Sequence, residues 1–195
     1  MLEDKLKKYN IILASQSPRR QSLLKELGIT FSVSDDHKLD ESYPEDLDKF
    51  QIPVYLSKLK SDTHNELDEN DLLITADTIV WLKDHVIGKP LNFADAVNML
   101  KKLSGNMHEV ITGVTLRTKT KIQSFYSHTE VFFAPLSDAE IEYYVHRFKP
   151  YDKAGAYGIQ EWIGYIAIER INGSYHNVMG LPIQKLYNEL DSFIK

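Results

Sequence analysis

Short apolar runs alternate with helix-spaced patterns along most of the chain, and this spacing predicts an α/β protein. The apolar run at 11–14 reads as a buried strand. Ser17 and Pro18 follow it as N-cap and first helical residue of a helix that runs to Leu27 and stops at Gly28. A second strand is expected over 29–33, and Pro53 is placed to open a helix through Leu67. Residues 72–76 and 78–82 read as strand segments broken by Asp77. Asn92 and Asp95 have the spacing of an N-cap before a helix over 93–103, closed by Gly105. Residues 110–117 and 122–133 read as a long antiparallel pair with its tip near Lys119. Ser137 and Glu140 make a capping box for a helix to Phe148. A strand is expected over 163–171, and Pro182 opens a final helix. The antiparallel pair interrupts the strand–helix alternation. A long mixed sheet flanked by helices, in two lobes, is therefore favoured over a simple doubly wound sheet.

The longest polar stretch, 34–48, holds seven acidic residues and Pro44 and reads as a long surface loop. There is no internal repeat and no low-complexity segment. With 195 residues, 43% hydrophobic and 26% charged, the chain excludes a collagen, a coiled-coil rod and a disordered tail. Residues 1–195 are read as a single domain. The absence of cysteine excludes disulfides, thiolate metal sites and a cysteine nucleophile. A net charge of −5 argues against a general nucleic-acid binder, although a local basic site is compatible with it. The first ten residues lack the apolar core of a signal peptide, and no run approaches the roughly 20 apolar residues of a membrane span. A soluble, cytoplasmic protein that binds neither nucleic acid nor membrane is expected.

Several stretches carry candidate chemistry. Ser15-Gln16-Ser17-Pro18-Arg19-Arg20 lies between a strand and a helix N-terminus. Free backbone N–H groups, hydroxyls and paired guanidinium donors there suit a phosphate, or else the segment is a capped helix start with solvated arginines. In Thr75-Ala76-Asp77-Thr78 an acid follows the apolar run 72–74, where it could hold a metal, act as a base, or simply turn the chain. Gly88-Lys89-Pro90 displays a lysine on a tight turn but lacks the glycines of a Walker loop. Residues 152–160, Asp-Lys-Ala-Gly-Ala-Tyr-Gly-Ile-Gln, form a small-residue loop in which Gln160 offers an amide to a base or sugar, or form a mobile connection. The histidines at 37, 64, 85, 108, 128, 146 and 176 are scattered without the pairing of a helical zinc site. Neither a Gly-x-Ser-x-Gly elbow nor a GxGxxG fingerprint is present. Basic elements and carboxylates together suggest a Mg²⁺-dependent phosphate-ester or anhydride site.

In order and spacing, these motifs, with Leu103-Ser104-Gly105, Thr112-Gly113 and Gly180-Leu181-Pro182, resemble the Maf proteins, nucleoside triphosphate pyrophosphatases, over nearly the whole chain. The resemblance implies a fold like that of the inosine triphosphate pyrophosphatases, with a long mixed sheet and two lobes around a cleft. It implies hydrolysis of a nucleoside triphosphate to monophosphate and pyrophosphate, with a divalent cation (Mg or Mn), by a homodimer.

The same resemblance assigns roles. Asp77 matches the catalytic acid that activates water and also serves the metal. Glu41, after Asp40, matches an acidic position serving metal or water. Lys60, Lys89 and Arg20 match groups that stabilise charge on the triphosphate. Ser15 and the backbone near Ser17 would cradle phosphate. Arg19, Thr78 and Gln160 match the subclass that acts on dTTP, UTP and modified pyrimidine nucleotides, and an amide suits the donors and acceptors of a uracil or thymine edge. Glu161 stands where the family usually has Gly. It would either repel a triphosphate or point to solvent. The alternatives are the 7-methyl-GTP subclass, against which Thr78 and Gln160 argue, and a nucleotide-binding regulator of septum formation in dividing cells.

Overall fold

The computed structural model describes residues 1–34 and 41–195. Most of the expected elements are present, and they build a seven-stranded mixed sheet with helices around it. Strand β1 (Asn10–Ala14) runs parallel to β2 (Ser32–Ser34) on one side and to β3 (Asp71–Leu82) on the other. Beyond β3 come β5 (Met107–Arg117), β6 (Ile122–Phe133) and β7 (Ile168–Asn172), and β4 (His85–Ile87) pairs antiparallel with the far end of β3. Strands β5 and β6 are the expected hairpin, closed by a bond from the Thr118 N–H to the Lys121 carbonyl.

The helices are α1 (Leu2–Leu6), α2 (Pro18–Glu26), α3 (Gln51–Asp62), α4 (Phe93–Leu103), α5 (Asp138–Phe148), α6 (Trp162–Ala167), α7 (Tyr175–Met179) and α8 (Ile183–Phe193). Two helix starts are capped as read. Asn92 accepts from the Asp95 N–H at 3.0 Å, and Ser137 and Glu140 form the reciprocal box. No helix among the described residues is long and apolar enough to cross a membrane.

The contacts divide the chain into two compact units, with the long strands β3, β5 and β6 contributing to both. The first comprises Met1–Asp77, Thr112–Ser127 and Gly180–Lys195. Its buried residues include Leu13, Leu23, Leu24, Ile52, Leu56, Leu72, Leu73, Ile74, Leu186 and Leu190. The second comprises Thr78–Ile111 and His128–Met179. In it α4 packs on α5, around a core that includes Leu100, Leu103, Phe133, Ile141 and Tyr144.

Several expectations are corrected. Asp77 does not break a strand, because β3 is continuous from Asp71 to Leu82. Pairing with β1 at one end and β4 at the other holds it extended, and the carboxylate finds a cation (below). The break falls instead at Lys83 and Asp84, both at positive φ (46° and 66°), as a two-residue hairpin turn requires. The second strand is shorter and later than 29–33 because Gly28, at φ 74°, redirects the chain first. Helix α3 starts before Pro53 and ends at Asp62. Asp48 Oδ1 accepts from the N–H groups of Phe50 (2.7 Å) and Gln51 (3.0 Å) and so sets the start. Ser17 occupies the N-cap of α2, but its side chain makes no cap bond. The apolar run at 163–171 is not one strand: α6 occupies its first half and β7 its second. Gly164 lets the chain coil there, since a Cβ at that position would stand 1.8 Å from the Ile159 carbonyl oxygen. The acidic stretch 34–48 has no helix or strand from Glu41 to Asp48, while residues 35–40, with His37 and Asp40, lie outside the described residues.

Candidate active site

In the first unit the chain leaves β1 at Ala14 and enters α2 at Pro18, and the junction is organised by Ser15. That side chain is 1% exposed. Its Oγ accepts from the Ser17 N–H at 3.3 Å and from Arg20 Nη1 at 3.3 Å, and its carbonyl accepts from Gln21 Nε2 at 3.1 Å. Arg20 Nε donates to the Gly180 carbonyl at 2.8 Å. Arg20 is thus anchored along one edge of its guanidinium by the Gly180-Leu181-Pro182 motif. Ser17 and Arg19 are half-buried on the same first turn.

Beside this junction Lys60, 7% exposed, projects from the last turn of α3. Its Nζ donates to Asp77 Oδ1 at 2.6 Å and lies 2.9 Å from Glu41 Oε1. Asp77 is also buried, whereas Glu41 is about half exposed. Burial is the largest influence on Lys60 and favours loss of its proton. The charge and hydrogen bond of Asp77, joined by Glu41, outweigh both burial and the repulsion of nearby Arg20, so Lys60 is held above the ordinary lysine value. It is a fixed cation at any physiological pH.

The position of Lys60 follows from close contact of α3 with the sheet. Gly113 on β5 has no side chain because the helix backbone occupies the space: a Cβ there would stand 2.2 Å from the Pro53 carbonyl oxygen. This is the role of the Thr112-Gly113 motif. Hydroxyls lock the contact. Thr75 Oγ1 donates to the Ser57 carbonyl at 2.6 Å, and the Ser57 and Thr115 hydroxyls lie 2.9 Å apart. Thr75 is two residues before Asp77 on β3 and Ser57 is one turn before Lys60 on α3, so these bonds set the register of the ion pair.

In the second unit Thr78, half-buried on β3, is followed by Val80, whose side chain approaches Gly155. The Gly155 N–H donates to the Gly88 carbonyl at 3.0 Å. That bond brings the Gly88-Lys89-Pro90 turn against the loop 152–160, with Lys89 exposed. Within the loop, buried Lys153 pairs with Asp152 (2.8 Å) and Glu161 (3.1 Å). Tyr144, buried on α5, donates to Glu161 and accepts from the Gly158 N–H at 3.0 Å. Burial, then Glu161, raises the Tyr144 hydroxyl well above the ordinary tyrosine value, so it stays protonated. Gln160 Oε1 is buried with no hydrogen-bond partner among the described residues, a state that costs about 1–3 kcal/mol.

The structure thus gathers Ser15, Ser17, Arg19, Arg20, Glu41, Lys60 and Asp77 in the first unit, and Thr78, Lys89 and Gln160 in the second. Glu161 is partly buried and its charge is compensated, for it is paired with Lys153 and bonded to Tyr144. Sequence reasoning missed Tyr144, which reads only as an apolar helix position, and missed that Gly180 acts through its carbonyl. Lys153 stood in a flagged motif, but its partners were not legible.

The profile of a family described as Maf-like protein matches residues 10–193. This chain belongs to the Maf-like family. Among similar proteins, one from Parabacteroides distasonis, named dTTP/UTP pyrophosphatase, is 55% identical over 194 residues, covering 99% of this chain and 100% of its own. Proteins of the same name from Phocaeicola vulgatus (55% identical, covering 97% of this chain and 98% of its own) and Flavobacterium johnsoniae (48%, 100% of both) match equally completely. A solved HAM1 protein from Coxiella burnetii is 16% identical over 66% of this chain and 74% of its own, with a TM-score of 0.43, too slight a likeness to add to the fold.

The Maf-like donor set suits a hard divalent cation. Asp77 and Glu41 both reach the Lys60 ammonium, so both carboxylates are directed at one point. No group of three or more His, Asp or Glu gathers as a metal cage among the described residues. One or two carboxylates completed by substrate phosphates is the usual arrangement for Mg²⁺.

Proposed function

We propose that this Maf-like protein hydrolyses dTTP and UTP to the nucleoside monophosphate and pyrophosphate. The observation that carries this reading is the buried Lys60 ammonium held between Asp77 and Glu41 beside the basic start of α2. Burying such charges costs several kcal/mol per ion, and apolar residues of similar size would stabilise the fold as well or better. Charges kept there serve a polyanion and its hydrolysis. The names of relatives 48–55% identical over their whole length support the substrate.

The residues suggest a division of labour. Asp77 takes a proton from water as its oxygen attacks the α-phosphorus. The bond from that phosphorus to the bridging oxygen breaks, and pyrophosphate leaves with the bond's electron pair. Lys60 stays charged throughout. Triphosphate oxygens compete for its Nζ, and when they take it the Asp77 carboxylate is released to accept the proton. Arg20, Lys89 and the first N–H groups of α2, with Ser15 holding their turn, offset charge on the phosphates. Asp77 and Glu41 would hold Mg²⁺ or Mn²⁺, which supplies further charge neutralisation at the phosphates. Arg19, Thr78 and Gln160 recognise the pyrimidine. The same reading takes the working form as a cytoplasmic homodimer, as the family resemblance implies.

The test is a nucleotide panel (dTTP, UTP, CTP, ITP and 7-methyl-GTP) with Mg²⁺ or Mn²⁺, resolved by chromatography. Conversion of dTTP and UTP to monophosphates is the expected result. Preference for 7-methyl-GTP, or no turnover by folded protein, would overturn it.

A further inference from the structure

Lys89 is exposed, yet the backbone on both sides of it is held. Gly88, between β4 and the lysine, offers its carbonyl to the Gly155 N–H at 3.0 Å. On the other side Pro90 is buried, and the Leu91 N–H donates to Asp95 Oδ2, in the first turn of α4, at 2.9 Å. The N–H that holds Gly88 comes from an uncommon piece of backbone. Gly155 and Ala156 both have positive φ, 71° and 58°. Two left-handed residues in succession are rare, and the second carries a Cβ. The surroundings enforce this turn. Ala156 is fully buried, and its N–H donates to the Lys153 carbonyl at 3.1 Å. Lys153 is itself fixed, with its ammonium between Asp152 and Glu161. Residues 154–156 pack on α4, and a Cβ on Gly155 would stand 3.1 Å from Val80 Cγ2. Backbone strain of this kind clusters at functional sites. Here the strained turn presents one N–H to the residue before Lys89.

We infer that Gly155 and Asp95 are positioning residues for Lys89, holding the chain before and after it so that its ammonium meets the triphosphate from a fixed origin. The inference rests on the nucleotide reading above, in which Lys89 offsets charge on the phosphates. A lysine is a point charge on a flexible stem, and that freedom is lost when it binds. Fixing the backbone beforehand removes part of the loss. Shifting the backbone displaces every place the ammonium can reach. Gly155 and Asp95 do this through the Gly88 carbonyl and the Leu91 N–H, without touching substrate.

The test measures kcat and KM for dTTP, with melting temperatures, in Asp95→Ala, Asp95→Asn and Gly155→Ala, each made in wild type and in Lys89→Ala. In wild type, Asp95→Ala and Gly155→Ala should each lower kcat/KM about tenfold or more, as expected for a displaced charge. Asp95→Asn keeps an acceptor oxygen for the Leu91 N–H and should retain most of the activity. In Lys89→Ala the same substitutions should add little, because the group they position is gone. Asp95→Ala leaves the buried turn untouched, so it reads the effect even if Gly155→Ala folds poorly. A merely structural role would lower the melting temperature and reduce activity by the same factor in both backgrounds. Losses undiminished in Lys89→Ala overturn the inference, as does an unchanged kcat/KM in both Asp95→Ala and Gly155→Ala, and either result leaves the nucleotide reading intact. A wild-type protein that hydrolyses neither UTP nor dTTP overturns that reading, and this inference with it.

Discussion

Replacing Gly113 by alanine tests whether contact of α3 with β5 sets the catalytic geometry. The new Cβ would sit 2.2 Å from the Pro53 carbonyl oxygen, 2.3 Å from its carbonyl carbon and 2.4 Å from the Val54 nitrogen. Close-packed interiors do not hold such contacts, and the atoms met are backbone, so the helix must withdraw by about 1 Å. Overpacking of this kind costs about 1–3 kcal/mol, which for a chain of this size lowers the melting temperature by about 2–12 °C. The same withdrawal carries Lys60, two turns along α3, away from Asp77, where the present contact is 2.6 Å. A misplacement of about 1 Å costs on the order of 10²-fold in rate. Activity should therefore fall much further than the folded fraction. Thermal unfolding and dTTP hydrolysis of the same preparation check both. Wild-type kcat in a variant destabilised as expected would refute the claim that this contact positions Lys60, and an unchanged melting temperature would refute the packing argument itself.

Asp77→Asn should lower kcat by about 10²–10⁴-fold, as expected for loss of a general base, while retaining nucleotide binding by calorimetry; loss of binding with kcat preserved would contradict the assignment. Lys60→Met leaves Asp77 buried without its cation and should cost about 3 kcal/mol in denaturant unfolding, whereas Lys60→Met with Asp77→Leu should recover that stability but not activity. His108, buried with Nε2 2.7 Å from the Tyr157 hydroxyl, is held down to about 3 by burial. Its folded form stays neutral where an unfolded histidine, with an ordinary value near 6.5, takes a proton, so stability is complete above pH 6.5 and falls as pH drops below it, by about 3 kcal/mol at pH 4.5. Unfolding of wild type and His108→Gln at pH 7.5 and 4.5 checks this: the variant should lose less, and equal losses would argue against it.

What was legible in the sequence is what local chemistry decides. Asn92 with Asp95, and Ser137 with Glu140, mark helix starts because cap and first turn are covalent neighbours. Asp77 misled because an acid in an apolar run looks like a turn, and its cation, Lys60, comes from another element. The run at 163–171 has an apolar content that suits helix or strand, and the tight fit of Gly164 on the Ile159 carbonyl decides it. The catalytic candidates were legible as residues through the motifs that carry the family resemblance. Their arrangement was not. Arg20 reaches the Gly180 carbonyl 160 positions away, α3 packs closely over Gly113, and Glu161 accepts from Tyr144. None of these leaves a pattern along the chain.

The central claim is that Asp77 directs water to the α-phosphorus, and isotope placement tests it most directly. Hydrolysis of dTTP in ¹⁸O-labelled water, followed by mass spectrometry of both products, should place the label in the monophosphate, with Asp77→Asn slowing the appearance of labelled monophosphate by about 10²–10⁴-fold. Label in the pyrophosphate, or release of inorganic phosphate from the terminal position, would contradict the account.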